Sequence, residues 1–125
     1  MNPADYINIV VSCLPSTVIA GVSLSAWRKV QTNSLPRNTT VGFRTKATLR
    51  SDEAWDKGNR AGIKVFLLCV PLAVITVAAM IVRILVFSKS SFLINGIWAV
   101  AFLCVMGYAT VKANQAANST KRDNQ

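Results

Sequence analysis

Three long apolar stretches alternate with polar, basic segments along this chain, and none of the three carries the polar stripe that a water-exposed helix needs. Residues 65–82 hold no charged side chain between Lys64 and Arg83. At ~1.5 Å per residue such a run covers about 27 Å, close to the ~30 Å hydrocarbon thickness of a bilayer. Residues 6–27 are also uncharged and carry Tyr6 and Trp27 at their ends, as interfacial anchors do. A third uncharged run, 91–111, is closed by Tyr108 and Lys112. The pattern predicts an all-α integral membrane protein with three transmembrane helices, spans at about 6–27, 62–87 and 91–111, in one membrane domain of residues 1–113. In the first span Ser12, Ser16 and Ala20 form one row of small residues, and Thr17, Gly21 and Ser25 an adjacent one. That side is expected to face protein, because small side chains let helices approach closely in lipid. Residues 114–125 are polar and lack apolar periodicity, which predicts a short extension of the third helix fraying into a flexible tail.

The polar segment between the first two spans, residues 28–61, has its own internal order. Ser51 followed by Asp52 and Glu53 has the form of a helix start: the hydroxyl accepts an unpaired N–H, and the carboxylates meet the positive end of the helix dipole. Asp56 and Arg60 then stand four residues apart and can pair. The expected element is a short cytoplasmic interfacial helix, with Trp55 as a wedge and the Ala54/Gly58 side toward the membrane. It turns at 58–62 into the second span, a continuous helix over 52–87 being the alternative. Leu35-Pro36 marks a turn, and Gly42 allows the backbone to approach another element closely.

Composition agrees with the pattern, since a chain 52% hydrophobic and 15% charged falls short of the charge of a soluble domain. The net charge of +9 would suit a nucleic-acid binder, but its placement assigns it elsewhere. Arg28, Lys29, Arg37, Arg44, Lys46, Arg50, Lys57 and Arg60 lie in the first loop, and Lys112, Lys121 and Arg122 follow the third span. The second loop holds Lys89 alone. The positive-inside bias then gives an external N-terminus, a cytoplasmic first loop and a cytoplasmic C-terminus in a multi-pass plasma-membrane protein. Membrane lipid is the expected partner of the basic residues, at about 1 kcal/mol for each one near the surface, and nucleic acid is not. The beginning of the chain lacks the basic region of a cleavable signal peptide.

With no histidine, neither a Ser–His nor a Cys–His pair nor a His-based zinc site is possible, and no phosphate-binding glycine motif occurs. Cys13, Cys69 and Cys104 lie singly in apolar runs and read as small reduced residues. Capping explains Asp52, Glu53 and Asp56 better than acid–base chemistry or a cation site, so neither enzyme activity nor a cofactor or metal is expected. Arg83, the one charge inside a span, is expected to snorkel to the headgroups, with Asn95 in reach as a hydrogen-bond partner.

Gly42, Arg44, Thr45, then Thr48, Leu49, Ser51, Glu53 and Trp55, then Asn59 and Arg60 follow an order that resembles the signature of the SdpI family of small bacterial membrane proteins. Leu35-Pro36-Arg37-Asn38 resembles its usual lead-in. Members of that family are associated with immunity to a secreted toxic peptide and, in the founding system, with membrane sequestration of a transcriptional repressor. The resemblance therefore implies a non-enzymatic protein of the immunity or signalling type in a bacterial cell membrane, acting by binding a peptide or protein. Its implied site is Gly42, Arg44, Thr45, Thr48, Ser51, Glu53, Trp55, Asn59 and Arg60. Arg44 and Arg60 are expected either to clasp the loop through Glu53 or Asp56, or to dock an acidic partner. Arg50 stands outside the signature and reads as an ordinary positive-inside charge. The alternative function is a small accessory subunit of a larger membrane enzyme, transporter or respiratory complex, packing through the small-residue face of the first span.

Overall fold

The computed structural model describes residues 2–37, 40–87 and 92–123, with side chains as far as residue 121. Asn38 of the lead-in, Lys89 of the second loop and the last two residues of the expected tail lie outside the described residues. The chain is all-helical over that range, in the order α1 (Pro3–Gln31), a short 3-10 turn η1 (Thr48–Arg50), α2 (Asp52–Phe66), α3 (Cys69–Phe87) and α4 (Phe92–Asp123). Three stretches are long and apolar enough to cross a membrane: α1, the α2–α3 rod, and α4 as far as Lys121.

Local chemistry sets the ends of these helices. Asn2 caps α1 in a capping box with Asp5, and Pro3 occupies the first turn, where its missing N–H costs nothing. At the other end Asn33 takes a positive φ of 51°. Ser34 N–H then reaches back to the Lys29 carbonyl at 2.9 Å, closing the helix in a Schellman-type turn. Pro71 cannot donate to the Leu67 carbonyl, and the rod bends just before it at 67–68, where Leu68 N–H bonds to Val65 and Val70 N–H to Leu67, each at 3.0 Å. The bend thus falls at 67–68, not at 58–62 as expected from the two glycines, which are helical and packed.

α1 packs against α3, and α2 runs antiparallel to the C-terminal half of α4. Ser12 and Ser16 are buried, as the row they belong to predicts, whereas Thr17, Gly21 and Ser25 are exposed, with Thr17 at the edge of a recess against α3 and open space at Gly21. The outer surface of the spans is apolar, with Leu85 78% and Leu93 77% exposed, a degree of exposure that lipid accommodates and water would not.

The third helix departs from expectation. It continues to Asp123 and buries Ala113, Ala117 and Thr120, so most of the segment expected to fray as a tail is a docked helix. The sequence signal was present but short: Ala109, Ala113 and Ala117 recur at four-residue spacing, and the last two face Gly58 and Gly62 at the same spacing on α2. Small residues in register on two helices form a contact surface whose apolar area is too small to register as amphipathic periodicity.

Candidate functional site: the loop between the first two spans

The signature residues fold into one compact knot on α2, wedged between the end of α1 and the end of α4. α2 starts as the sequence predicts, with Ser51 Oγ accepting from Ala54 N–H at 3.1 Å and Asp52 and Glu53 in its first turn. Its inward stripe is Ala54, Trp55, Gly58, Asn59, Gly62 and Ile63, while Asp52, Glu53, Asp56 and Lys64 point outward. Trp55 is therefore no lipid anchor. It is 3% exposed, and its indole N–H donates to the Leu35 carbonyl at 2.9 Å, tying the lead-in to the helix.

Asn59 is the central fastener, at 1% exposure. Its amide nitrogen donates to the Trp55 carbonyl one turn back at 3.0 Å, and its amide oxygen accepts the backbone N–H of Phe43. That bond requires the chain at Gly42 to pass flat against α2, and Gly42 does so at φ +136°, with the Trp55 ring immediately beside it. Phe43 then covers Gly62 and meets Phe66 edge to face at 6.4 Å. Ala26 and Val30 of α1 and Ile63 of α2 form the apolar centre against which Phe43 and Val41 pack.

Two threonines shape the next turn. The wholly buried Thr48 donates its hydroxyl to the Phe43 carbonyl at 2.6 Å and accepts from Thr45 N–H at 2.9 Å. The Thr45 hydroxyl in turn donates to the Asn114 side chain of α4. Arg37 donates to the Leu49 carbonyl, and its other terminal nitrogen stands 3.4 Å from Asp52. Arg50 donates to the Ala117 carbonyl at 2.9 Å and to the Thr120 hydroxyl at 3.1 Å. Its role as a clamp on α4 corrects the reading of Arg50 as an ordinary surface charge. No local sequence signal pointed to it, because its partners lie 67 and 70 residues away.

The remaining signature charges are outside the knot. Arg60 pairs with Asp56 at 2.8 Å, as the spacing predicts, and also donates to the Asn33 side chain at the end of α1. Its guanidinium is held above the usual arginine range, first by the hydrogen bond it donates to Asp56 and then by that carboxylate's charge. Glu53 pairs with Lys57 at 3.0 Å and with neither arginine. Both pairs are half-exposed and worth at most about 1 kcal/mol. Arg44 is exposed, with no side-chain hydrogen bond or ion pair among the described residues, so the expected Arg44–carboxylate clasp is absent there. Phe43, the residue before it, lines an apolar recess of about 210 Å³ together with Val22 and Ala26 of α1, Phe66 and Met106 of α4.

Three membrane-length helices with a packed basic loop at one end define a multi-pass membrane protein. The family model for the SdpI/YfhL protein family matches residues 34–111, which take in the whole knot and the two following spans, and the chain belongs to that family. No curated protein and no solved structure matches it.

Proposed function

We propose that the protein is a non-enzymatic member of the immunity or signalling type of its family, acting by binding a peptide or protein at the cytoplasmic face of a bacterial plasma membrane. The observation that carries this reading is the division of labour within the signature. Gly42, Thr45, Thr48, Ser51, Trp55 and Asn59 are spent on holding the knot together, whereas Arg44 is exposed, has no side-chain partner among the described residues, and directly follows Phe43, which lines an apolar recess. An exposed guanidinium one residue from the lining of an apolar hollow suits a partner with an acidic residue near a large apolar one.

The test is Arg44→Glu in cells that depend on the chain for protection against a secreted membrane-active peptide, with a photo-crosslinker at Lys46 to report a cytoplasmic partner. The variant is expected to accumulate normally and to lose protection, crosslinking or both by at least about tenfold, the effect of losing one charge-assisted contact and adding a repulsive one. Full activity in Arg44→Glu would remove Arg44 from the binding surface. A stoichiometric large membrane partner after mild-detergent purification would instead favour the accessory-subunit reading, for which the exposed Thr17, Gly21 and Ser25 row offers a contact face.

The orientation is proposed on charge placement and is checked separately. With Cys13, Cys69 and Cys104 replaced by alanine, a cysteine at Thr40 is expected to be shielded from an impermeant thiol reagent in intact cells and one at Ser90 to react. The reverse labelling would invert both loops.

A further inference from the structure

At the end of the bundle remote from the loop, three N–H donors are shielded and have no partner among the described residues: Asn8 Nδ2, Arg83 Nε and Trp98 Nε1. Asn8 is wholly buried, at 0% exposure. Its oxygen accepts from Asn95 Nδ2, and Asn95 Oδ1 accepts from Ser12, so Asn95 ties α4 to α1 and is not a partner of Arg83. Arg83 reaches the same level by register. α3 buries Cys69, Ala73, Thr76 and Met80 at three- and four-residue steps, and position 83 continues that row. Thr17 and Ala20 of α1 line one recess with Ala73, Val77 and Ala78 of α3, and the two helices run antiparallel. Five residues further toward the remote end, α1 presents Ser12 and α3 presents Arg83. Trp98 follows Asn95 by three residues on α4 and is held by stacking on Phe102 at 5.4 Å. The Arg83 guanidinium is steadied over the Phe87 ring, 5.3 Å from its centroid.

All three unpartnered atoms are donors, one of them on a permanent cation. Asp5 is the one described carboxylate at this end, and it closes the α1 capping box by accepting from Asn2 N–H. Buried donors without an acceptor are costly, most of all in an apolar medium. Arg83 stands four residues before the end of α3, and Asn95 three after the start of α4. The three donors therefore lie about one to two turns, ~6–9 Å, inside the helix ends, within reach of lipid headgroups. We propose that this end of the bundle is a binding site for a phosphate oxyanion, supplied by a phospholipid headgroup, with Arg83 as its charge partner and Asn8 and Trp98 as neutral donors. The lipid's acyl chains would lie on the exposed apolar flanks at Leu85 and Leu93. The site is independent of the peptide-binding function proposed for the loop.

Native mass spectrometry of the full chain in mild detergent with added phosphatidylglycerol tests this. The parent protein is expected to retain one lipid, Arg83→Gln to lose it by at least about tenfold, and Trp98→Phe, which keeps the ring on Phe102, to bind about fivefold more weakly, as for one lost hydrogen bond. Lys29→Gln at the opposite end is expected to bind as the parent does. Equal retention by the parent, Arg83→Gln and Trp98→Phe would overturn the site and show only non-specific lipid. If Arg83→Gln fails to fold by circular dichroism, Trp98→Phe decides. Displacement of the lipid by millimolar inorganic phosphate would overturn the lipid as the source while retaining the anion site. Retention of a peptide carboxylate in place of any phosphate would overturn the proposal.

Discussion

Gly42→Ala is expected to open the loop while leaving the three spans inserted. A methyl group at this position would stand 2.7 Å from Asn59 Oδ1 and 3.0 Å from the Trp55 ring, neither of which can move without breaking another contact. Asn59 is fixed at its other end by the Trp55 carbonyl, and Trp55 by the Leu35 carbonyl. The backbone adds its own cost, because φ +136° is a conformation that side chains with L configuration rarely adopt. Backbone strain of about 1–3 kcal/mol and overpacking of a similar size together exceed what a single small knot is expected to withstand. The relief available is to detach residues 41–43 from α2, which gives up the Asn59–Phe43 bond and uncovers Ile63. Trypsin is expected to cleave at Arg44, Lys46 and Arg50 at least about tenfold faster in the variant, with membrane insertion unchanged. Parental resistance in Gly42→Ala would show that the passage of Gly42 across α2 is not what holds the loop.

The spans, the helix start at Ser51 and the Asp56–Arg60 pair were legible in the sequence because each is a local pattern. A charge-free run, a cap followed by acids and an i, i+4 pair all work within a few residues of chain. The family signature likewise marked residues most of which pack together in the loop, yet it could not distinguish an inward side chain from an outward one. Trp55 shows why. At a membrane surface an indole is well placed either in the headgroup layer or in a protein core, and the choice depends on whether another segment arrives to cover it. Here Leu35 and Gly42 cover it from upstream, and α4 covers the adjoining Gly58 face from the far end of the chain. Arg50 and the end of α4 were missed for the same reason. Asn114 to Asp123 is too polar to suggest packing, and the contact of this end of α4 with α2 rests on Ala113 and Ala117, which are small residues in register with two glycines. Such a contact depends on the partner's surface, which a one-dimensional pattern does not show.

That contact gives the second large effect. A chain ending at Ala113 is expected to insert normally and to lose the folded loop, because the removed residues supply three separate supports. Asn114 takes the Thr45 hydroxyl, Ala117 closes over Gly58, and the Ala117 carbonyl with the Thr120 hydroxyl receives Arg50. Without them the buried stripe of α2 faces water over two of its turns, and the Arg50 guanidinium loses both acceptors. Arg50→Ala alone is expected to cost about 1.5–3 kcal/mol, the range for a hydrogen bond to a charged group, and so to give an intermediate increase in cleavage. Ala117→Leu tests the contact from the other side. An ideal methyl position at Gly58 lies only 3.2 Å from the Ala117 side chain and 3.0 Å from the Ala113 carbonyl, so there is no room there for a larger residue. Forcing one in is expected to cost about 1–3 kcal/mol and to push α4 off α2. The three changes should therefore rank in trypsin sensitivity as truncation first, with Ala117→Leu and Arg50→Ala between it and the parent. A truncated chain as resistant as the parent would mean that α1 and residues 41–48 hold α2 without α4, and Thr45, Thr48 and Gly58 would then need another reason to be where they are.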